Sequence, residues 1–242
     1  MRAVIGVALA ALAALPARAV EDYDACIALA ASAPEQAVAE AEAWSRFDGG
    51  WAARHCYALA LAATGATRRA AVEMAGIATE AVDLPRDVRA EMFITAGEWF
   101  LDLNELGETA QTIDRAERLA PQGHKHLILS AELNAELGDL RSAIAELNRL
   151  LKARGPETEP LLLRATIKRR LGDGIGARDD AYWASELDPE LPEVWLEVGQ
   201  VEAMLGNRDN ARAAWLRAIE KAPEDPLAET ARRQLQLLES GQ

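Results

Sequence analysis

The sequence predicts an all-α protein built as a stack of helical hairpins. Three observations carry this: alanine dominates the composition, residue types recur every 34 positions, and a helix-ending residue falls at one place in each recurrence. Hydrophobic residues make up 50% of the 242, and 51 of them are alanine, whereas aromatics are only 5%. Alanine is the strongest helix former, and strands draw on the β-branched and aromatic residues that are sparse here. Charged residues at 27%, with 16 Gly and 10 Pro, exclude wholesale disorder and collagen-like sequence. The formal charge of −13 argues against a nucleic-acid partner, because a phosphate backbone demands a basic face.

The first element is residues 1–19, MRAVIGVALAALAALPARA. Arg2 supplies a charged start, Ala3 to Leu15 is an unbroken apolar run, and Ala17 and Ala19 are the small residues a signal peptidase needs. Thirteen residues make a helix of roughly 20 Å, short of a bilayer core of about 30 Å. The segment therefore reads as a secretory signal peptide and not an anchor, and no later segment is apolar enough to span. The expected product is an exported protein, periplasmic in a Gram-negative source. Removing residues 1–19 takes away Arg2 and Arg18 and no acid, leaving 24 basic and 39 acidic side chains and a formal charge of −15. Export also colours the two cysteines, Cys26 and Cys56. They fall on neighbouring predicted helices, where a disulfide is sterically allowed and suits an oxidising compartment; the alternative is two small buried hydrophobes.

Next come residues 20–89, which carry the pattern loosely. Pro34 opens a helix that Asp48-Gly49-Gly50 ends, and a second pair follows through Ala58, Gly65 and Ala70. Its second helix reads as lengthened, with the closing proline displaced to Pro85.

Residues 90–223 carry the period strictly. Leu103, Leu137, Leu171 and Leu205 lie 34 apart, as do the small residues Gly97, Ala131, Ala165 and Gly199. Asn104, Gly138, Gly172 and Gly206 suit the left-handed backbone that ends a helix. Thr109, Ala143, Ala177 and Ala211 keep the register, and Pro121, Gly155, Pro189 and Pro223 close the units. Four units follow, at 90–121, 124–155, 158–189 and 192–223. In the last, Trp195, Val198, Gly199 and Ala203 share one helical face and Ala211, Trp215 and Ala218 another. One such pair cannot bury its apolar face alone, but stacked pairs bury a continuous core. Residues 224–242 hold an amphipathic segment that opens at Asp225-Pro226, read as a capping helix and tail.

The order of large, small, glycine, alanine and closing proline in a 34-residue unit resembles the tetratricopeptide repeat family. The likeness is firm over 90–223 and loose over 21–89. It implies a right-handed α-solenoid and a non-catalytic protein-interaction scaffold, whose concave groove holds a peptide or helix of a partner. In that family the fifth position of each unit faces the groove; here it is Ile94, Ile128, Leu162 and Leu196, an aliphatic row. Neighbouring groove positions add Glu98, Asp102, Glu132 and Glu136, then Arg169 and Arg170, then Gln200 and Met204. The alternative for the row is packing between repeats, and for the acids a solvated face.

Signals for catalysis are weak. No Gly-rich phosphate loop, G-x-S-x-G elbow or H-E-x-x-H occurs. Gly172-Asp173-Gly174-Ile175-Gly176 reads as an inter-helix turn. His124-Lys125-His126 starts a helix, where residues two apart diverge, so it reads as a solvated loop and not a metal site. His55 beside Cys56 likewise diverges along its helix. No cofactor and no catalytic residue are expected. The competing readings are a self-assembling envelope protein and a wall-active hydrolase; the second would require convergent polar groups with shifted pKa values in one cavity.

Overall fold

The computed structural model describes residues 22–240, so the expected signal peptide at 1–19 lies outside the described residues. It divides into two compact units, Met1–Glu73 and Met74–Gln242. Thirteen α-helices make up the described residues.

The first unit contains α1 (Tyr23–Ser32), α2 (Pro34–Ser45) and α3 (Gly50–Ala63), and the division falls within α4 (Thr67–Glu80). Pro34 opens α2 at its first turn, where its missing N–H costs nothing. Cys26 of α1 and Cys56 of α3 form a disulfide with a Cα–Cα distance of 6.1 Å. Both are fully buried, against Ala41 with Leu29, Trp44 and Tyr57 around them. The cross-link spans 30 residues, and closing such a loop in the unfolded chain contributes on the order of 3 kcal/mol. For a unit whose core is largely alanine, that is a main source of stability.

The second unit is a run of hairpins: α5 (Arg86–Asp102) with α6 (Leu106–Leu119), α7 (Lys125–Glu136) with α8 (Leu140–Arg154), α9 (Thr158–Leu171) with α10 (Gly174–Leu187), and α11 (Pro192–Met204) with α12 (Arg208–Lys221). Each first helix ends the same way. Asn104, Gly138, Gly172 and Gly206 have φ of 57°, 81°, 92° and 79°. The next amide then reaches back five residues: Glu105 N–H to Phe100 O, Asp139 to Asn134, Asp173 to Lys168, and Asn207 to Glu202, all at 2.8–2.9 Å. This satisfies carbonyls the helix end would leave orphaned and turns the chain into the second helix. Gly65 repeats the device after α3, with φ 80° and an Ala66 N–H to Leu61 O bond of 2.9 Å. Where the following residue is Asp139 or Asp173, its carboxylate also caps the second helix by accepting from Ser142 N–H or Gly176 N–H. The glycine-rich stretch at 172–176 is thus a helix stop, a cap and a helix start in five residues.

The small-residue columns form the core. Ala131, Ala165, Thr109, Ala143, Ala177 and Ala211 are all fully buried. A Cβ on Gly199 would lie inside the van der Waals envelope of the Trp215 ring, and one on Gly97 would overlap Thr112 and Leu129. The helices of a pair approach closely because these positions have so little side chain. The leucine column at 103, 137 and 171 is different: it is 40%, 60% and 44% exposed and caps helix ends at the surface.

Two features differ from the sequence expectation. The second helix of the upstream pair, α4, has 14 residues, the same as α6, α10 and α12. The extra length lies in the 81–85 connection and in α5, which has 17 residues and starts at Arg86 with Pro85 as its N-cap. Proline at the cap presets the backbone of the entering chain, so the helix begins there. The other is His126, which is 6% exposed and not part of a solvated loop.

At the far end α13 (Pro226–Ser240) buries Ala228 and Ala231, the latter against the Trp215 and Ala218 cluster. Asp225 accepts from Leu227 N–H at its start.

Candidate functional site

The first helices of three successive hairpins meet around a cavity of about 430 Å³. α5 supplies Ile94, Glu98, Leu101 and Asp102; α7 supplies Lys125, Ile128, Leu129 and Glu132; α9 supplies Glu159. The floor is aliphatic and the walls carry four carboxylates against one ammonium, which is itself paired with Glu91.

The electrostatics follow from that crowding. Burial pushes the Glu132 carboxyl up to about 7, helped by repulsion from Glu98, Glu159 and Asp102. Glu98 is raised as well, by burial and then by Glu159, with Lys125 acting in the opposite direction. The site thus gathers like charges whose repulsion a cation would relieve. It meets part of the requirement set for a hydrolase, since shifted acids converge on one cavity.

A carboxylate raised on folding destabilises the native state as pH rises. Glu132 is protonated in both states below its ordinary value near 4.5, costs stability as pH climbs from there to about 7, and costs a constant amount above. With a discount for partial exposure the loss is about 2 kcal/mol. Glu132→Gln is therefore expected to be more stable than wild type at pH 8 by about that amount and little different at pH 4.5. Urea melts of both proteins at the two pH values check this, and a difference independent of pH contradicts it.

Of the expected groove residues, Ile94, Glu98, Asp102, Ile128 and Glu132 come together here. Arg169 and Gln200 line a second cavity of about 480 Å³ with Met204, Trp215 and Gln234. Arg169 is also held by Glu197 of α11 through two bonds of 2.7 and 3.0 Å. Arg170 donates to Ala135 O of the preceding hairpin at 2.9 Å. Leu162 and Leu196 are half-buried and pack against core clusters, and Glu136 is exposed. Glu159 was not among the expected residues. The period could have found it: Glu91, Lys125, Glu159 and Glu193 are themselves 34 apart, and two of the four line the cavity.

His55 accepts or donates to the Tyr23 hydroxyl at 2.8 Å, and burial lowers its pKa. Its neighbour Cys56 is occupied by the disulfide. Among the described residues no group of three or more His, Cys, Asp or Glu is arranged to hold a metal ion, and no helix is long and apolar enough to cross a membrane.

No family model and no curated protein matches the sequence. Solved structures do match the fold. A tetratricopeptide repeat protein from Parabacteroides merdae is similar at a TM-score of 0.69 and 14% identity, over 89% of this chain and 84% of that one. The Cut9–Hcn1 hetero-tetramer of the APC/C is similar at 0.67 and 13%; the match covers 88% of this chain but only 42% of the chain it resembles. PilF of Pseudomonas aeruginosa is similar at 0.62 and 15%, over 88% and 97%. At these identities the likeness is one of fold, and the fold is the tetratricopeptide-type α-solenoid.

Proposed function

We propose that the protein is a non-catalytic interaction scaffold that holds a segment of a partner protein in the cavity between α5, α7 and α9. The observation that carries this is the pairing of an aliphatic floor with four carboxylates drawn from three hairpins. A segment with a lysine or arginine beside an aliphatic residue complements both features: its apolar side chain covers Leu101 and Ile128, and its cation neutralises the acids that repel one another. The presence of Cut9 in a hetero-tetramer with Hcn1 supports partner binding as work this fold can do. Export to the cell envelope is supported by the signal-peptide pattern of residues 1–19 and is compatible with the Cys26–Cys56 disulfide.

The test removes charge without bulk. Wild type and the Glu98→Gln, Glu132→Gln variant, each tagged at the C-terminus, are mildly cross-linked in the native envelope and purified. A specific protein recovered with wild type and lost with the variant is the expected result, and its recovery should fall as salt is raised, because exposed charge pairs are screened. Identical sets of captured proteins from both would rule out this cavity as the working surface.

A further inference from the structure

The loop 120–124 and the helices beside it carry a second site of opposite polarity. His124 sits at φ 58°, in the left-handed region, and this turn sends Lys125 to the acidic cavity while both histidines border another cavity, of about 500 Å³. Gln122 and His124 from the loop, His126 from α7, and Arg149 and Lys152 from α8 line it, and no carboxylate does. In a chain with 39 acidic residues against 26 Lys and Arg, a cavity bordered by four nitrogen bases and no acid is not an average sample of the surface. His126 is 6% exposed and sits in the wall of this cavity. An imidazole in a cavity wall can donate to an acceptor that enters from solvent. Arg149 bonds Glu146 through one nitrogen at 2.7 Å and keeps further donors free to point elsewhere.

We propose that this cavity binds a small divalent oxyanion of the phosphate and sulfate class, with His126 as the buried hydrogen-bond donor and Lys152 and Arg149 as the charges that hold it. The donors come from a loop and two helices, and an anionic oxygen accepts short, charge-assisted bonds from such groups. The groups facing His126 set its pH response. Burial lowers its pKa, Arg149 and His124 lower it further, and Glu117 and Glu146 act the other way. A bound dianion adds a strong raising influence, so binding takes up a proton and strengthens as pH falls through the histidine range.

Sulfate is the clean probe, because its own charge does not change between pH 5 and 8. The ring resonances of His126 in the full chain would be followed by NMR during titration with sodium sulfate, against sodium chloride at equal ionic strength. Saturable shifts with sulfate alone, a higher His126 midpoint in its presence, and tighter binding at pH 5.5 than at pH 8 are expected. Lys152→Gln, at an exposed position, should weaken sulfate about tenfold, the effect of one lost charge-assisted bond. The Glu98→Gln, Glu132→Gln variant should bind it as wild type does. Parallel titrations with inorganic phosphate and glycerol 3-phosphate then show whether the free ion or its ester is preferred. The proposal fails if sulfate moves His126 no more than chloride does, or if Lys152→Gln leaves the affinity unchanged.

Discussion

Trp215→Ala is expected to cost 3–5 kcal/mol, a large share of the stability of the C-terminal hairpins, on the scale known for emptying a buried aromatic site. Trp215 is 2% exposed and packs with Ala211, Ala218 and Ala231, so it joins α12 to the capping helix α13. Its partner on α11 is Gly199, whose missing side chain is what leaves room for the ring. Gly199→Ala should gain up to about 1 kcal/mol of helix propensity and lose more than that to overpacking against the indole ring it faces. The two positions are therefore coupled. In a double-mutant cycle measured by urea denaturation, Gly199→Ala should be harmful in wild type and near neutral or favourable once Trp215 is alanine. The indole Nε1–H has no hydrogen-bond partner among the described residues, so Trp215→Phe, which deletes that orphaned donor, should cost far less than Trp215→Ala. Additive effects of Gly199→Ala and Trp215→Ala would mean that the ring and the glycine do not constrain each other.

The small half of that pairing was legible in the period, which sets Gly97, Ala131 and Ala165 at the place of Gly199; the bulky half was not, because the place of Trp215 holds Ile113, Leu147 and Ala181 in the earlier copies. The helix ends were legible for the same reason. Asn104, Gly138, Gly172 and Gly206 are the residues that tolerate positive φ, and the backbone uses all four. What the period does not encode is which way a charged side chain turns. Arg169 and Arg170 read as a basic patch, yet one is held by Glu197 and the other by a backbone carbonyl. Ile94, Leu162 and Leu196 share one repeat position and all pack against core clusters, yet only Ile94 also borders the acidic cavity, since the space beside each depends on the helix of the next hairpin. His124-Lys125-His126 read as a uniform loop, and a left-handed residue divides it between two cavities. Such choices rest on contacts between repeats, at long range in sequence, where a periodic pattern carries least information.

Asp180 is the strongest instance, a carboxylate that reads as one more solvated acid and stands instead at the centre of a buried cluster. It is 3% exposed on α10 and receives Arg164 of α9 through two bonds, of 2.8 and 2.6 Å, and Lys168 of α9 at 2.8 Å. Arg164 also donates to Asn148 of α8 at 2.6 Å, so the cluster ties three helices from two hairpins. Asp180→Ala leaves two largely buried cations facing each other without a counter-charge, and is expected to cost about 3–5 kcal/mol. The intact cluster is worth much less than that, because forming it already required three charges to leave water. The combined replacement Arg164→Met, Lys168→Met, Asp180→Leu should therefore recover most of the loss. Stability in a repeat array is local, so the readout is hydrogen exchange across α9 and α10 alongside urea melts. Asp180→Ala should accelerate exchange in those helices most, and the triple replacement should restore protection. If Asp180→Ala costs under about 1 kcal/mol, water reaches the two cations readily and the cluster is a surface feature. If instead the triple replacement is as damaging as the single one, the cluster contributes attraction beyond repairing its own desolvation, and the stacking of these two hairpins depends on charge as well as on the alanine columns.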